Sequence, residues 1–325
     1  MKSQYGIIAA ALFLAAASSP VHAQAFTPSK PIEFVTHTGP GGGGDVMARQ
    51  IAAGMDKEKL LPVRMQIANK TGGGGATGMA YMAEKRGEPH TIAVFTGIWY
   101  TLPLMRAEAK VTMNDLTPLA RLVLEPAMVA VKQDSPYKTL GDFIEAARKS
   151  PGQLKQSAGS IGSRDWLVRQ LLMTKTGTNW VYISFPGGGE RFAALLGGHV
   201  QVMVVEPPEV GEHIRAGNIR VIATIAEQRL PAFPNVPTVQ EAGFDIPNVP
   251  QVRGIVGPPG LSREAVAYWE GLFARFVKTE SWRKIVEENM WEDSFMGSAA
   301  LIKFGDEYSA TTRSILTAGG VKVAR

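Results

Sequence analysis

The chain has 325 residues, no cysteine, 34 Lys and Arg against 29 Asp and Glu, and a formal charge of +5. Without cysteine there can be no disulfide, thiolate metal site, cysteine nucleophile or lipid-bearing N-terminal cysteine. The mild basic balance carries no block of like charges and no basic stripe interleaved with aromatics, which argues against nucleic acid, while a diffuse positive potential favours capture of small anions.

The first residues predict a secretory signal peptide over 1–23. Met1-Lys2 is a positive start, Ile7 to Ala17 is an apolar core too short to span a membrane comfortably, and Ser18 to Ala23 is a small-residue cleavage region. Cleavage after Ala23, with Ala25 as the alternative, removes one Lys and lowers the formal charge from +5 to +4. The expected product is a soluble, exported chain whose length suggests two domains.

Strand-like and helical patterns then alternate. Ile32–Thr36 leads into the turn Gly39-Pro40-Gly41-Gly42-Gly43-Gly44-Asp45, and a helix follows with Asp45 as N-cap and Met47, Ile51 and Met55 on one face. Val63–Ile67 leads into Thr71-Gly72-Gly73-Gly74-Gly75-Ala76-Thr77-Gly78 and a helix carrying Met79, Met82 and Ala83. Thr91–Thr96 and Leu119–Val131 read as further strands. Thr139 and Asp142 form a capping box for a helix whose apolar face is Leu140, Phe143, Ile144 and Ala147. A third glycine turn, Ser157 to Ser163, precedes Leu167, Val168, Leu171 and Leu172. Strand Val181–Phe185 enters a fourth, Phe185-Pro186-Gly187-Gly188-Gly189, ahead of Phe192, Leu195 and Leu196. Strands Val200–Val205, Arg220–Ala226 and Val252–Val256 follow, and Ser262 caps a helix whose stripe Val266, Trp269, Phe273 and Phe276 is core.

This alternation predicts an α/β fold with mostly parallel pairing. All four glycine turns fall at the carboxyl ends of strands, where open α/β sheets bind ligands, so they describe a cleft between two domains. Crossings near Ala120 to Pro126 and Pro250 to Gly257 divide the chain into a discontinuous domain, 24–124 with 253–325, and a second, 125–252.

A glycine-rich strand-to-helix turn leaves backbone N–H groups uncovered at the positive end of a helix dipole, which makes an anion site. Nucleotides fit it poorly. Gly39-x-Gly41-x-x-Gly44 and Gly73-x-Gly75-x-x-Gly78 satisfy the dinucleotide spacing but lack the ribose-binding acid at the next strand end, and Gly75-Ala76-Thr77-Gly78 lacks the P-loop lysine. Ala158-Gly159-Ser160-Ile161-Gly162 is one residue short of a nucleophile elbow, and His37, His90, His199 and His213 show no metal spacing. His37 ends the first strand and borders the pocket. No catalytic constellation, cofactor motif or metal motif is visible, so recognition remains. Four or five charge-assisted hydrogen bonds at about 1.5–3 kcal/mol each, less the cost of association and closure, reach the ~8 kcal/mol of a micromolar receptor.

Five strings carry a family resemblance: Thr38 to Arg49, Asn69 to Gly78, Asp115-Leu116-Thr117-Pro118, Gly197-Gly198-His199-Val200, and Arg229 to Gly243. The chain resembles the Bug receptors, the extracytoplasmic solute-binding proteins of tripartite tricarboxylate transporters. The resemblance implies a type II periplasmic binding fold, two doubly wound α/β domains closing on a carboxylate-bearing solute, and a periplasmic monomer that delivers the solute to membrane subunits. It also implies that the first two loops hold the carboxylate through main-chain groups. That places Thr38, Gly39, Pro40, Gly41, Gly42 and Gly43 with Gly72, Gly73, Gly74, Gly75 and Ala76 at the ligand, Asp45 capping its helix or orienting the loop, and Ser157, Gly159, Gly187, Gly188 and Gly189 on the opposing wall.

The chain departs from the usual family pattern at Trp99 and at Ser163-Arg164-Asp165-Trp166. An added aromatic and an added cation suit an aromatic or dicarboxylic acid, with Arg164 either gripping a distal carboxylate or pairing with Asp165 or another acid. Trp99 and Trp166 are either core or stacking platforms. Glu206 either faces the cleft or precedes Pro207-Pro208 in a turn. The competing reading is a secreted hydrolase or transferase using the same cleft.

Overall fold

The structure is a computed structural model that describes residues 26–159, 161–185, 188–318 and 320–324. The signal peptide read over 1–23 and the alternative cleavage at Ala25 lie outside the described residues, as do Ser160, Pro186 and Gly187.

The first sheet begins with β1 (Ile32–Thr36), α1 (Gly43–Lys57), β2 (Met65–Asn69), α2 (Ala76–Glu84), β3 (Thr91–Thr96) and α3 (Ile98–Met105). β1 lies between β2 and β3 and is parallel to both, with Phe34 opposite Ile67 and Ile92. β4 (Thr117–Glu125) belongs to the same sheet, whereas β5 (Ala127–Lys132) belongs to the other. The apolar run Leu119–Val131 therefore reads as one strand but folds as two. Pro126 has no N–H to donate to a ladder, and the chain leaves one sheet for the next there.

The second sheet follows with α4 (Leu140–Lys149), β6 (Lys155–Ala158), α5 (Arg164–Thr176), β7 (Val181–Ser184), α6 (Gly188–Leu196), β8 (Val202–Val205), α7 (Pro207–Arg215) and β9 (Ile219–Ile225). Its order is β7-β6-β8-β5-β9, with β6 parallel to β7 and β8, and β5 antiparallel to β8 and β9. The chain then returns through β10 (Gln251–Gly257), α8 (Arg263–Phe276), α9 (Glu280–Glu288), β11 (Glu292–Gly297) and α10 (Ser298–Ala318), completing the first sheet as β11-β4-β10-β3-β1-β2. β10 is antiparallel to β3 and β4, and β11 to β4.

Among the described strands, four pairings are parallel and five antiparallel, so the expected parallel majority does not hold. β5, by which the chain enters the second sheet, and β10, by which it returns to the first, each run against both of their neighbours. β6 and β11 escape the sequence pattern because Lys155-Gln156-Ser157-Ala158 and Glu292 to Gly297 are largely polar.

Each sheet is covered on both faces. On the first, Phe34 packs with Met47, Ile51, Trp269, Phe273 and Phe276, while Val35 packs on the other face with Met79, Met82 and Trp99. Full burial of such side chains contributes about 1.5–3 kcal/mol each. The Trp269–Phe276 stripe is thus core, as its spacing predicts. The Thr139 capping box also forms, its hydroxyl accepting Asp142 N–H at 3.1 Å and Asp142 Oδ2 accepting Thr139 N–H at 2.9 Å. Across the second sheet, Val129, Phe143, Leu167 and Trp180 form one layer, and Met128, Leu195, Val205 and Val210 the other. α10 serves both sheets: Leu301 lies in the core of the first, and Ile315 and Leu316 in that of the second.

Candidate functional site

The first glycine turn is shaped by Asp45. α1 begins at Gly43 with Gly42 at the N-cap, so Asp45 is not the cap but lies inside the first turn. The tight Gly42 N–H to Gly39 carbonyl bond at 3.0 Å brings the helix in early. From there the Asp45 carboxylate reaches back to accept Gly41 N–H at 2.9 Å. Arg49 Nε at 2.9 Å, Arg49 Nη2 at 3.0 Å and Asn69 Nδ2 at 2.9 Å complete its shell. The Arg49 hydrogen bond chiefly, then those of Asn69 and Gly41, hold the carboxyl at about 2. Thr38 is committed as well: its hydroxyl accepts Asp45 N–H at 2.9 Å and lies 3.0 Å from Thr36 Oγ1. Pro40 is exposed at the tip of the turn, and Gly39 faces Thr71 of the second turn. The amides of Gly43 and Gly44, at the positive end of α1, carry no hydrogen bond among the described residues.

In the second turn Gly72, Gly73, Gly74 and Gly75 have φ values of +129°, +58°, +68° and +112°, a succession closed to side chains with a Cβ. Gly75 N–H returns to Gly72 O at 3.0 Å, and Ala76 N–H to Gly73 O. The Gly73 and Gly74 amides are left without a partner among the described residues. β1 and β2 are neighbours, so both turns open at the same edge of the sheet.

Between them stands His37, whose Cδ2 would lie 3.4 Å from a Cβ on Gly75. Its Nδ1 accepts Trp99 Nε1–H at 3.0 Å. Burial, then the charge of Arg253, lowers its pKa to about 4, so the ring is neutral at pH 7. Trp99 is 0% exposed, which selects core over stacking platform: it has no face left for a ligand and meets the site through His37 and beside Gly75. Trp166 is core too, in the second sheet's layer.

On the opposing wall most of the named groups are already engaged. Ser157 Oγ donates to Arg191 O at 3.1 Å, and Gly159 N–H to Asp165 Oδ2 at 3.0 Å. Gly188 opens α6, and Gly187 lies outside the described residues. Arg164 pairs neither with Asp165 nor with open space. Its Nη1 donates to Glu125 O at 2.7 Å and its Nη2 to Glu206, while Arg191 takes Asp165 at 3.1 Å. Only Arg164 Nε, buried, lacks an acceptor on that side chain.

Glu206 stands at the N-cap of α7, directly before Pro207. It lines a cavity of about 460 Å³ together with Gly41, Gly43, Glu125, Glu209 and Arg253. Burial opposes its charge, but Arg164 and Arg191 hold its pKa down at about 2. Glu209, hydrogen-bonded to Glu206, is pushed well above the carboxylate range by burial and by that neighbouring charge. Arg253 is bound to Glu125 Oε2 through Nε at 2.8 Å and Nη2 at 2.5 Å, and Trp291 Nε1 donates to Glu125 Oε1 at 2.9 Å. The guanidinium lies so close to the start of α1 that a Cβ on Gly43 would be 2.8 Å from Nη2.

Glu125 and Arg253 are the residues that sequence reading misses, because 128 positions separate them. His37 could be found from its place at the end of β1. The site as a whole offers neutral N–H donors at one sheet edge and internally balanced ion pairs behind them. Among the described residues, no group of three or more His, Asp or Glu is placed to hold a metal ion.

Residues 47–321 match the model of a family described as the tripartite tricarboxylate transporter family receptor. The protein BugT of Bordetella pertussis is 30% identical over 238 residues, 72% of either chain. A TctC solute-binding protein from Polaromonas, solved without ligand, is 28% identical with a TM-score of 0.70 over 89% of this chain and 99% of its own. A protein of R. palustris solved with adipate is 22% identical and superimposes with a TM-score of 0.84 over 91% of this chain and 99% of its own.

Proposed function

The chain belongs to the tripartite tricarboxylate transporter receptor family, and from that membership we propose a periplasmic receptor that captures a small organic carboxylate and delivers it to the transporter's membrane subunits. The observation that carries this reading is the set of unpaired amides of Gly43, Gly44, Gly73 and Gly74 at one sheet edge. Such donors suit a carboxylate, and each charge-assisted bond contributes about 1.5–3 kcal/mol. Capture proceeds by closure of 24–124 with 253–325 against 125–252. The receptor works as a monomer without catalysis, after export directed by residues 1–23.

Adipate in the R. palustris neighbour makes dicarboxylates the first acids to test, with aromatic and monocarboxylic acids completing the panel. Refolded, ligand-free protein is heated with each acid, and the acid is assayed for consumption. Saturable stabilisation by one acid at a hundredfold excess over its Kd amounts to about 2.7 kcal/mol. A ligand that is chemically altered, or no response to any acid, rejects the receptor reading.

A further inference from the structure

His37 leaves β1 where the two glycine turns come together, and its surroundings fix which nitrogen carries the proton. Trp99 Nε1–H is a donor only, so at 3.0 Å it requires a lone pair on Nδ1. The neutral ring must therefore hold its hydrogen on Nε2. No acceptor for Nε2 exists among the described residues, and it is not one of the sealed, unsatisfied nitrogens in this half-buried residue. Gly78 and Gly75 allow this placement: a Cβ on Gly78 would stand 2.9 Å from His37 Cβ, and one on Gly75 3.5 Å from Trp99 Nε1.

We infer that His37 Nε2–H is a side-chain donor that completes the carboxylate cradle, with Trp99 as the positioning residue that fixes its tautomer. This rests on the reading of the cleft as a carboxylate receptor. Arg253, whose charge acts on His37, is engaged by Glu125 through Nε and Nη2, and its Nη1, beside Gly43, joins the imidazole N–H and the four glycine amides in the donor set. Every member of that set donates and none accepts. A head group made only of acceptor oxygens is matched throughout, whereas a carboxamide sets its own N–H against one of these donors.

The test uses ¹⁵N NMR of the full protein with acetate as the probe and acetamide as the control. In the free protein His37 is expected to show an unprotonated Nδ1 and a protonated Nε2; the opposite tautomer overturns the inference. On acetate titration the Nε2–H and the amides of Gly43, Gly44, Gly73 and Gly74 should shift together, and acetamide should move them far less. Glycine amides that move while His37 stays still overturn the inference and leave the receptor reading standing. No movement anywhere rejects both. His37→Leu should weaken acetate binding roughly 10- to 100-fold, as expected for one hydrogen bond to a charged group. His37→Gln, which keeps an acceptor for Trp99 and a donor beyond it, should recover much of that loss, and failure to do so counts against the inference. Trp99→Phe should bring a protonated Nδ1 into the spectrum, an effect that mere loss of packing would not produce.

Discussion

The carboxylate of Asp45 holds the amide of Gly41 at 2.9 Å, so a residue inside α1 sets the shape of the turn that precedes its own helix. Because Arg49 and Asn69 fix that carboxylate in turn, the cradle is organised before any ligand arrives.

Asp45→Asn should therefore lower stability by about 2 kcal/mol and weaken ligand binding as well, since an amide oxygen that serves Gly41 and Arg49 Nε leaves its NH2 facing the donors Arg49 Nη2 and Asn69 Nδ2. Urea unfolding and calorimetry measure the two effects. The Asp45 pKa is lowered from 3.8 to about 2, so its contribution is complete above pH 4 and is lost as pH falls from there toward 2. A variant with wild-type stability at pH 7 contradicts the assignment.

His37 gives stability a second and separate pH dependence. With its pKa lowered from 6.5 to about 4, the unfolded chain binds the extra proton first, so stability is full above pH 6.5 and declines as pH falls toward 4. The decline is about 3.4 kcal/mol at most. His37→Gln should flatten the melting temperature across that window, and an unchanged slope would falsify the burial of a neutral ring.

Glu206 and Glu209 are adjacent acids with opposite requirements. Glu206→Gln removes the carboxylate from buried Arg164 and should cost about 3–5 kcal/mol. Glu209, whose carboxyl burial and the charge of Glu206 push up and whose Arg191 contact is longer at 3.7 Å, should accept Gln at a smaller cost than Glu206 does. Equal losses in denaturant unfolding would contradict that order.

The second glycine turn should be graded in its tolerance of a Cβ. Gly74, at φ +68°, occupies the left-handed helical region, and Gly74→Ala should cost about 1–2 kcal/mol. Gly75, at φ +112°, lies outside it, against His37 and Trp99, so Gly75→Ala should cost more and should also impair binding. Thermal unfolding of the two variants side by side decides the order.

Strands with strong apolar runs were legible from sequence, and β1 and β3 have the bounds that their residues predict. Local chemistry was legible too: the Thr139 capping box and the glycine turns at strand ends depend on neighbours within a few positions. Pairing direction was not, because whether β10 enters beside β3 from the opposite end depends on how the chain returns after more than a hundred residues. The same distance hides the site's ion pairs. Arg164 reads either as an anchor or as half of an ion pair until the fold sets Glu206 and the Glu125 carbonyl against it, and Trp99 as platform or core until burial takes both its faces.

α10 has a consequence for movement. Its 21 residues run from Leu301, beneath the first sheet, to Ile315 and Leu316, beneath the second, and beyond it Ala324 N–H donates to Leu104 O of α3 at 2.7 Å. A rigid rod seated in both halves resists being stretched or sheared, but it can act as an axle. In the receptor proposed above, the opening and shutting of the cleft would then be a swing whose axis passes near that helix.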